Sequence, residues 1–175
     1  FSSTYTNVEN GQIIDELILS IKEFTSLPIV LFPGNPSQIS NKAHGILFLT
    51  LLSGRNPDYL IEHQVNAVPI LKQTQLEVIS TGYILMDRNN PNYVMQTAQA
   101  GEYIGNKLIY LEAGSGAELA VPQEMISLVA QNISVPLLVG GGIRSKEAID
   151  NAYKSGADLV VIGTAFEDDL NFFNT

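Results

Sequence analysis

Short apolar runs alternate with polar segments of helical periodicity along almost the whole chain of 175 residues. Apolar residues recur every three or four positions over residues 11–25, which predicts an amphipathic helix. Six other runs are apolar nearly throughout and end at turn signals, so each predicts a strand that is covered on both faces. These predicted strands are residues 29–32, 45–50, 77–84, 108–112, 136–139 and 159–162.

Most of the segments between the strands are predicted to be helices. Ser145 is a predicted helix cap, Thr164 is predicted to cap a short final helix, and Pro69 is expected to kink its helix or end it early. Residues 37–43 are too short and too polar for a full helix. The repeated order of strand, turn and helix predicts an α/β protein with parallel strands. The predicted helices are residues 11–25, 56–72, 92–104, 122–131, 145–154 and 165–170.

A closed barrel and a doubly wound open sheet both fit this order of elements. Glycines follow the carboxyl ends of the last two strands, at Gly140–Gly142 and Gly163, where many (β/α)8 barrels bind phosphate on backbone N–H groups. This placement favours the barrel. A barrel needs eight strands, and Phe1 would be the end of a seventh. We therefore expect residues 1–175 to form a single, incomplete TIM-barrel domain from which N-terminal strands are absent.

Composition and charge narrow the range of functions. The formal net charge of −9 argues against nucleic-acid binding, and an anionic substrate would need local help from backbone N–H groups, a metal ion or a few basic residues. The absence of cysteine excludes disulfides, zinc–thiolate sites and thiol catalysis. No apolar run reaches the roughly 18 residues of a membrane span. We expect a cytoplasmic protein.

The stretch Lys107–Ala117 combines a buried strand with candidate chemistry. Glu112 lies at the strand's end, where a barrel places catalysis, and is the best candidate for a general base; the alternative is a surface carboxylate in a loop. Tyr110 shares its face, because strand side chains repeat every second residue. Its hydroxyl would either reach a ligand or be satisfied locally, and both readings stay open. Gly114-Ser-Gly116 lets backbone N–H groups approach a ligand.

Two further glycine turns carry similar potential. Gly140-Gly-Gly-Ile-Arg144 could cradle a phosphate with backbone N–H groups while Arg144 adds charge. Gly163-Thr164 repeats this pattern at the end of the last strand. Neither turn matches the Walker A sequence or the dinucleotide-binding spacing. From the residues alone, the first hypothesis is a phosphate-binding barrel enzyme, such as a sugar-phosphate isomerase or lyase.

Several stretches together resemble the geranylgeranylglyceryl phosphate synthase (PcrB-like) family, and the resemblance covers nearly the whole chain. The Tyr-Leu-Glu-Ala-Gly-Ser-Gly form is similar to the group that includes many archaeal members and some from Bacteroidetes-like bacteria. The stretches are Leu31-Phe-Pro-Gly-Asn-Pro-Ser-Gln-Ile-Ser40, Leu51-Leu-Ser-Gly-Arg-Asn-Pro57, Ile79-Ser-Thr-Gly-Tyr83, Tyr110-Leu-Glu-Ala-Gly-Ser-Gly116, Gly140-Gly-Gly-Ile-Arg144 and Val161-Ile-Gly-Thr-Ala-Phe166.

The resemblance implies a modified (β/α)8 barrel in which irregular chain replaces the third helix. It implies transfer of a geranylgeranyl group from its diphosphate to sn-glycerol 1-phosphate, with Mg2+ as cofactor. Glu112 would then deprotonate the attacking glycerol hydroxyl. Residues implied to bind the glycerol phosphate are Tyr110, Leu111, Glu112, Ala113, Gly114, Ser115 and Gly116, and those implied to bind phosphate are Gly141, Gly142, Gly163 and Thr164.

The chain departs from the family pattern in two places. The first strand, with its metal-binding Asp and a nearby Lys, has no counterpart, and only Phe1-Ser-Ser3 corresponds to the second strand. Ser2 or Ser3 is carried over as a residue near the metal. The loop after the family's fifth strand is longer than Asp87–Asn90. A chain without these parts supports a third hypothesis, a non-catalytic barrel remnant that binds phosphate. We also expect a homo-oligomer and a peripheral membrane encounter for the lipid substrate or product.

Overall fold

The computed structural model describes residues 7–86, 90–169 and 172–173, with the backbone alone for residues 7–11. Ser2, Ser3 and most of the loop that follows residue 86 lie outside these ranges. The strands are β1 Val30–Leu31, β2 Gly45–Leu51, β3 Glu77–Leu85, β4 Leu108–Glu112, β5 Leu137–Gly140 and β6 Leu159–Val161. The helices are α1 Asn7–Phe24, α2 His63–Leu71, α3 Pro91–Tyr103, α4 Gln123–Ala130, α5 Lys146–Lys154 and α6 Thr164–Asp168.

The six strands follow one another in chain order across the sheet, β1-β2-β3-β4-β5-β6. β1 pairs with β2, and β3 to β6 pair in succession, all in parallel. Each of the six predicted strands is present, which confirms the reading of the apolar runs as buried parallel strands. The described chain divides into two compact units, the first from residues 1–50 and 56–80 and the second from residues 51–55 and 81–175. A single domain over residues 1–175 remains a prediction.

The first unit carries β1, β2 and the start of β3. Ile18 of α1 and Ile46 of β2 are buried in it. After β1 the chain makes only a short 3-10 helix, Pro36–Gln38, in which Asn35 caps the Ser37 N–H at 2.9 Å. No α-helix follows before β2. The prediction that irregular chain replaces a helix here is therefore confirmed.

The predicted helix over residues 56–72 has a more complex form than its pattern indicated. Its first part is a π-helix, Asp58–Glu62, and α2 follows directly. Pro69 lies inside α2, which ends at Leu71, two residues beyond it. A proline has no N–H, so this helix lacks the hydrogen bond that residue 69 would otherwise donate to the Val65 carbonyl. A π-helical turn has no hydrophobic periodicity of its own, so the sequence did not predict it.

The second unit contains the main apolar core. Side chains of β3, β4 and β5 meet those of α3, α4 and α5, with Ile109, Leu111 and Val129 fully buried. Ser145 caps α5 by accepting a hydrogen bond from the Ala148 N–H at 3.1 Å, as predicted. The cap of α6 is Gly163 and not the predicted Thr164, which is the first helical residue. A one-residue difference at a helix end is common, because helix ends fray.

A loop of the second unit is anchored to β3. The Leu52 side chain lies where β3 and α3 each present a glycine: a Cβ on Gly82 would come within 2.7 Å of Leu52 Cδ1, and one on Gly101 within 2.5 Å. The Leu52 N–H also donates to the Tyr83 carbonyl at 2.8 Å. The loop after β2 is therefore fixed beside β3.

Among the described residues, no helix has the length and apolar character required to span a bilayer.

Ile109→Ala should lower the free energy of unfolding by about 2–5 kcal/mol, because it removes a fully buried side chain of β4 and leaves a cavity. The matched control is Ile13→Ala in α1, where the side chain is 55% exposed; we expect a change within about 0.5 kcal/mol. Urea denaturation of both variants measures the difference. Equal losses would contradict the assignment of the core to this unit.

Candidate active site

The end of β4 places Tyr110 and Glu112 on one face of the sheet. Glu112 is 6% exposed, which rules out the alternative of a surface carboxylate in a loop. Its Oε1 accepts a hydrogen bond from the Gly114 N–H at 2.9 Å, and the Tyr110 hydroxyl donates to the same carboxylate. Within the described chain no Lys, Arg or His pairs with it. The charge of this carboxylate is therefore stabilised by neutral donors.

Tyr110 is almost completely enclosed, with 1% of its surface exposed. The Tyr110 and Tyr83 rings meet edge to face, at a centroid distance of 5.2 Å and an interplanar angle of 85°. Burial, and then the Glu112 carboxylate, raise the pKa of the Tyr110 hydroxyl far above its ordinary value. The same two causes raise the pKa of Tyr83. Both phenols therefore stay protonated at neutral pH, and Tyr110 acts as a hydrogen-bond donor to Glu112.

The end of β5 packs against Tyr110 and Glu112 through glycines, which have no side chain. A Cβ on Gly140 would collide with the Tyr110 hydroxyl and lie 3.1 Å from Glu112 Oε2. Gly141 has φ +81°, and a Cβ there would collide with Glu112 Oε1 and lie 2.9 Å from the amide nitrogens of Ala113 and Gly114. The Ala113 N–H donates to the Gly140 carbonyl at 3.0 Å. Only glycine permits this approach of the two strand ends.

The glycine turns differ in the N–H groups that they leave available. The N–H groups of Ala113, Gly114 and Ala117 are already bonded, to Gly140, Glu112 and Gly114 respectively. Other N–H groups in these turns make no hydrogen bond with the described chain, and they follow three adjacent strands. Backbone donors of this kind suit an anion. They belong to Ser115, Gly116, Gly141, Gly142, Gly163 and Thr164.

Leu111 occupies a different environment from its neighbours. Its side chain is fully buried in the apolar core, on the face of β4 opposite Tyr110 and Glu112. The resemblance implies a part for Leu111 in ligand binding, and that part stays a prediction. Ala113 also packs against the core, whereas Ser115 and Gly116 are exposed.

Within the described ranges, the arginines near strand ends are Arg55 and Arg144, and both contact protein groups. Arg144 pairs with Asp168 of α6 at 3.4 Å, both side chains being largely exposed. Arg55 donates to the carbonyls of Leu52 and Gly54 and to the Tyr93 hydroxyl at 2.9 Å. Arg55 therefore stabilises its own turn and links it to Tyr93.

The described residues do not by themselves fit a magnesium site. Mg2+ prefers octahedral oxygen coordination, with one or two carboxylates plus water and phosphate oxygens. No three His, Asp or Glu residues of the described chain lie together. Glu112 is the carboxylate at this site, and it is already hydrogen-bonded to Gly114 and Tyr110. No chemical step at this site is derived through a metal, and Ser2 and Ser3 lie outside the described residues.

Comparison with known proteins gives this arrangement a family context. A family model described as the PcrB family matches residues 6–174. The chain is 56% identical over 186 residues to the geranylgeranylglyceryl phosphate synthase of Flavobacterium johnsoniae, covering 97% of this chain and 76% of that protein. It is 46% identical to the synthase of Zunongwangia profunda, over 95% of this chain and 76% of that one.

The chain belongs to the PcrB family, the geranylgeranylglyceryl phosphate synthases. It resembles the crystal structure of (S)-3-O-geranylgeranylglyceryl phosphate synthase from Thermoplasma acidophilum in complex with substrate sn-glycerol-1-phosphate. That likeness has a TM-score of 0.90 and 32% identity, and it covers 99% of this chain and 75% of the other. The family resemblance and the TIM-barrel-like α/β fold predicted from the sequence are thereby confirmed.

The alignment with a PcrB-family relative is longer than this chain, which indicates a difference in loop length. The alignment with the Flavobacterium synthase spans 186 residues, whereas this chain has 175, so the relative carries residues that this chain lacks within the aligned region. That these residues are missing from the loop after residue 86 remains a prediction.

Sequence reasoning missed Tyr83 as a neighbour of the site. Tyr83 is the cross-strand partner of Tyr110 in the parallel ladder. The signal was present in the sequence, since an aromatic residue near the end of an apolar strand can face the same side as a residue of the next strand. The register that brings the two rings together is not encoded in either strand alone.

Gly141→Ala should destabilise the protein by more than Gly105→Ala. Both glycines have positive φ, +81° and +104°, so both substitutions carry a backbone cost of about 1–2 kcal/mol. A Cβ at Gly105 meets nothing within 4 Å, whereas one at Gly141 collides with the Glu112 carboxylate and two amides. Thermal denaturation of the two variants measures the difference, and equal losses would show that the strand ends do not need this close approach.

Glu112→Gln should lower the pKa values of Tyr110 and Tyr83, because a negative charge beside both phenols is removed. Because the pKa values of the two phenols are higher in the folded protein than in the unfolded chain, the neutral phenols stabilise the folded state. This stabilisation is fully present below the ordinary tyrosine pKa of about 10, and it is lost as the pH rises through the higher pKa values of the folded protein. Absorbance titration at alkaline pH follows the ionisation, with Tyr110→Phe identifying the phenol. Unchanged titration in Glu112→Gln would contradict the described contact.

Proposed function

We propose that this protein is a prenyltransferase, a geranylgeranylglyceryl phosphate synthase that joins sn-glycerol 1-phosphate to geranylgeranyl diphosphate. The observation that carries the proposal is its 56% identity to the Flavobacterium johnsoniae synthase over 97% of the chain. The Thermoplasma relative, at 32% identity, is a complex with sn-glycerol-1-phosphate, which supports the same substrate here. The products are geranylgeranylglyceryl phosphate and diphosphate.

In this proposal the phosphate of glycerol phosphate lies on the unbonded N–H groups of three neighbouring turns. Ser115 and Gly116 follow β4, Gly141 and Gly142 follow β5, and Gly163-Thr164 follows β6. Backbone donors bind an anion without a basic side chain, which suits a protein of net charge −9. Tyr110, Glu112, Ala113 and Gly114 form the adjoining wall that meets the glycerol part.

Glu112 is assigned the proton transfer. As the glycerol hydroxyl oxygen forms a bond to C1 of the prenyl chain, the bond from C1 to the diphosphate oxygen breaks, and the hydroxyl proton passes to the Glu112 carboxylate. The carboxylate accepts two hydrogen bonds from protein groups, from Gly114 and Tyr110. A carboxylate has about four lone-pair sites, so it can still accept one from the substrate.

Tyr110 is assigned to hold Glu112 and not to exchange protons. Its raised pKa keeps the phenol neutral, so it supplies one fixed hydrogen bond to the base. The charge of Glu112 has no cationic partner in the described chain. A cation there would hold the carboxylate in an ion pair and compete with the substrate hydroxyl for its lone pairs.

Mg2+ remains part of the proposal as the ion that would accompany the diphosphate. It would neutralise the leaving group when bound, and Ser2 or Ser3 is the proposed neighbouring residue. The described residues supply no ligand set for it, so the roles of Glu112 and the glycine turns do not depend on it. The homo-oligomer and the peripheral membrane encounter also remain predictions.

The alternative of a sugar-phosphate isomerase or lyase is less well supported. Such an enzyme would need a second acid or base facing Glu112. The ionisable side chains next to it are Tyr110 and Tyr83, and both have pKa values raised far above neutrality. A non-catalytic phosphate-binding barrel would bind glycerol phosphate without turnover, which separates it from the synthase.

Glu112→Ala should reduce turnover by about 100-fold or more, because the attacking hydroxyl loses its base. The assay measures labelled geranylgeranylglyceryl phosphate formed from sn-glycerol 1-phosphate and geranylgeranyl diphosphate with Mg2+. Glu16→Ala, at an exposed position of α1, is the matched control and should retain wild-type activity. Full activity in Glu112→Ala would show that the role assigned to this carboxylate is wrong.

A further inference from the structure

Tyr83 lies against the proposed site, but neither the sequence pattern nor the proposed mechanism gives it a task. It is 7% exposed and stands opposite Tyr110 in the ladder between β3 and β4. The edge-to-face contact of the two rings, at 5.2 Å and 85°, has the geometry that aromatic pairs prefer. The two rings therefore make a favourable contact beside the proposed site.

The backbone of Tyr83 is fixed from both sides. Its strand pairs with β4 on one side. On the other side, the Leu52 N–H donates to the Tyr83 carbonyl at 2.8 Å, and Ser53 Oγ accepts from the Leu85 N–H at 3.0 Å. The side chain of Leu52 packs onto the neighbouring Gly82. These contacts hold the backbone from which the Tyr83 ring projects.

The Tyr110 ring consequently lies in a slot. Tyr83 forms one side, and the end of β5 forms another, where Gly140 would collide with the Tyr110 hydroxyl if it carried a Cβ. At the end of the slot the hydroxyl donates to Glu112. A ring confined in this way presents its hydroxyl to one place, the Glu112 carboxylate.

We propose that Tyr83 is a positioning residue that acts through Tyr110: its ring holds the Tyr110 hydroxyl on Glu112 and so aims this carboxylate at the substrate hydroxyl. The inference rests on the proposed function, since it assigns Tyr83 a part in the same reaction. The contact that matters is the ring edge. The proton transfer is assigned to Glu112 alone, and Tyr110 supplies only its hydrogen bond to that carboxylate.

The electrostatics agree with this assignment. Burial first, and then Glu112, raise the pKa of Tyr83, so the phenol stays neutral beside the carboxylate. Tyr83 therefore places no second charge near the proposed base. Phenylalanine would keep the ring edge and the neutrality, whereas leucine would remove the ring and leave the Tyr110 ring free to turn.

The kinetic test compares Tyr83→Leu, Tyr83→Phe and Tyr110→Phe in the prenyl-transfer assay. Tyr83→Leu should lower kcat about 10- to 100-fold, because a misplaced catalytic group loses its alignment. The KM for sn-glycerol 1-phosphate should change less than about threefold, since the backbone donors for phosphate are untouched. Tyr83→Phe should keep kcat within about threefold of wild type, because the aromatic contact remains.

The double variant Tyr83→Leu/Tyr110→Phe distinguishes positioning from general destabilisation. If Tyr83 acts through Tyr110, the double variant should be no slower than Tyr110→Phe alone. Multiplied losses would overturn the proposal, because they would mean that Tyr83 acts independently. A loss in Tyr83→Phe as large as that in Tyr83→Leu would also overturn it, since the ring edge would then not be the determinant.

A second measurement does not depend on turnover. In alkaline absorbance titration, Tyr83→Leu should bring the pKa of Tyr110 down towards the ordinary tyrosine value of about 10, while Tyr83→Phe should not. An unchanged Tyr110 titration in Tyr83→Leu overturns the proposal. Tyr83→Met replaces Tyr83→Leu if the latter does not fold. Absence of prenyl transfer in the wild type would overturn the proposed function, and the titration would then decide whether Tyr83 holds Tyr110.

Discussion

The site depends on the packing of bare backbone at the end of β5 against two side chains at the end of β4. Gly140 and Gly141 occupy positions where a methyl group would collide with the Tyr110 hydroxyl or the Glu112 carboxylate. Because nothing projects from these residues, the two strand ends approach until the Ala113 N–H bonds to the Gly140 carbonyl at 3.0 Å. This approach encloses Glu112 while its neighbouring turns keep unbonded N–H groups.

The enclosed carboxylate creates an electrostatic constraint. Burying a charge is costly unless hydrogen bonds compensate for the lost water. Here the compensation comes from the Gly114 N–H and the Tyr110 hydroxyl, both neutral. The anionic end of the proposed ligand meets backbone donors, and its hydroxyl end meets the carboxylate. One site can therefore bind an anion and hold a base, although the protein has a net charge of −9.

The apolar core and the loop after β2 stabilise the strands that carry Tyr110 and Glu112. Side chains alternate along β4, so Ile109 and Leu111 enter the core while Tyr110 and Glu112 face the site. The insertion of Leu52 beside Gly82 and Gly101 fixes the loop after β2 against β3. Burial of the core residues thus stabilises the strands from which the site's side chains project. The Thermoplasma acidophilum synthase has a similar arrangement, with a TM-score of 0.90.

The sequence by itself determined the six strands, the helices between them and the placement of Glu112 at a strand end, because burial and turn formation act over a few neighbouring residues. It also determined the family, through motifs distributed over the chain. Tertiary structure alone decided that the Tyr110 hydroxyl bonds to Glu112, that Tyr83 meets Tyr110, and that the Leu111 side chain enters the core. It also decided that α6 begins after Gly163 and that a π-helix precedes α2. The side-chain contacts depend on strand register and on the distance between segments far apart in the chain, which local periodicity does not contain. The two helix features depend on backbone hydrogen bonding, which hydrophobic periodicity does not reveal.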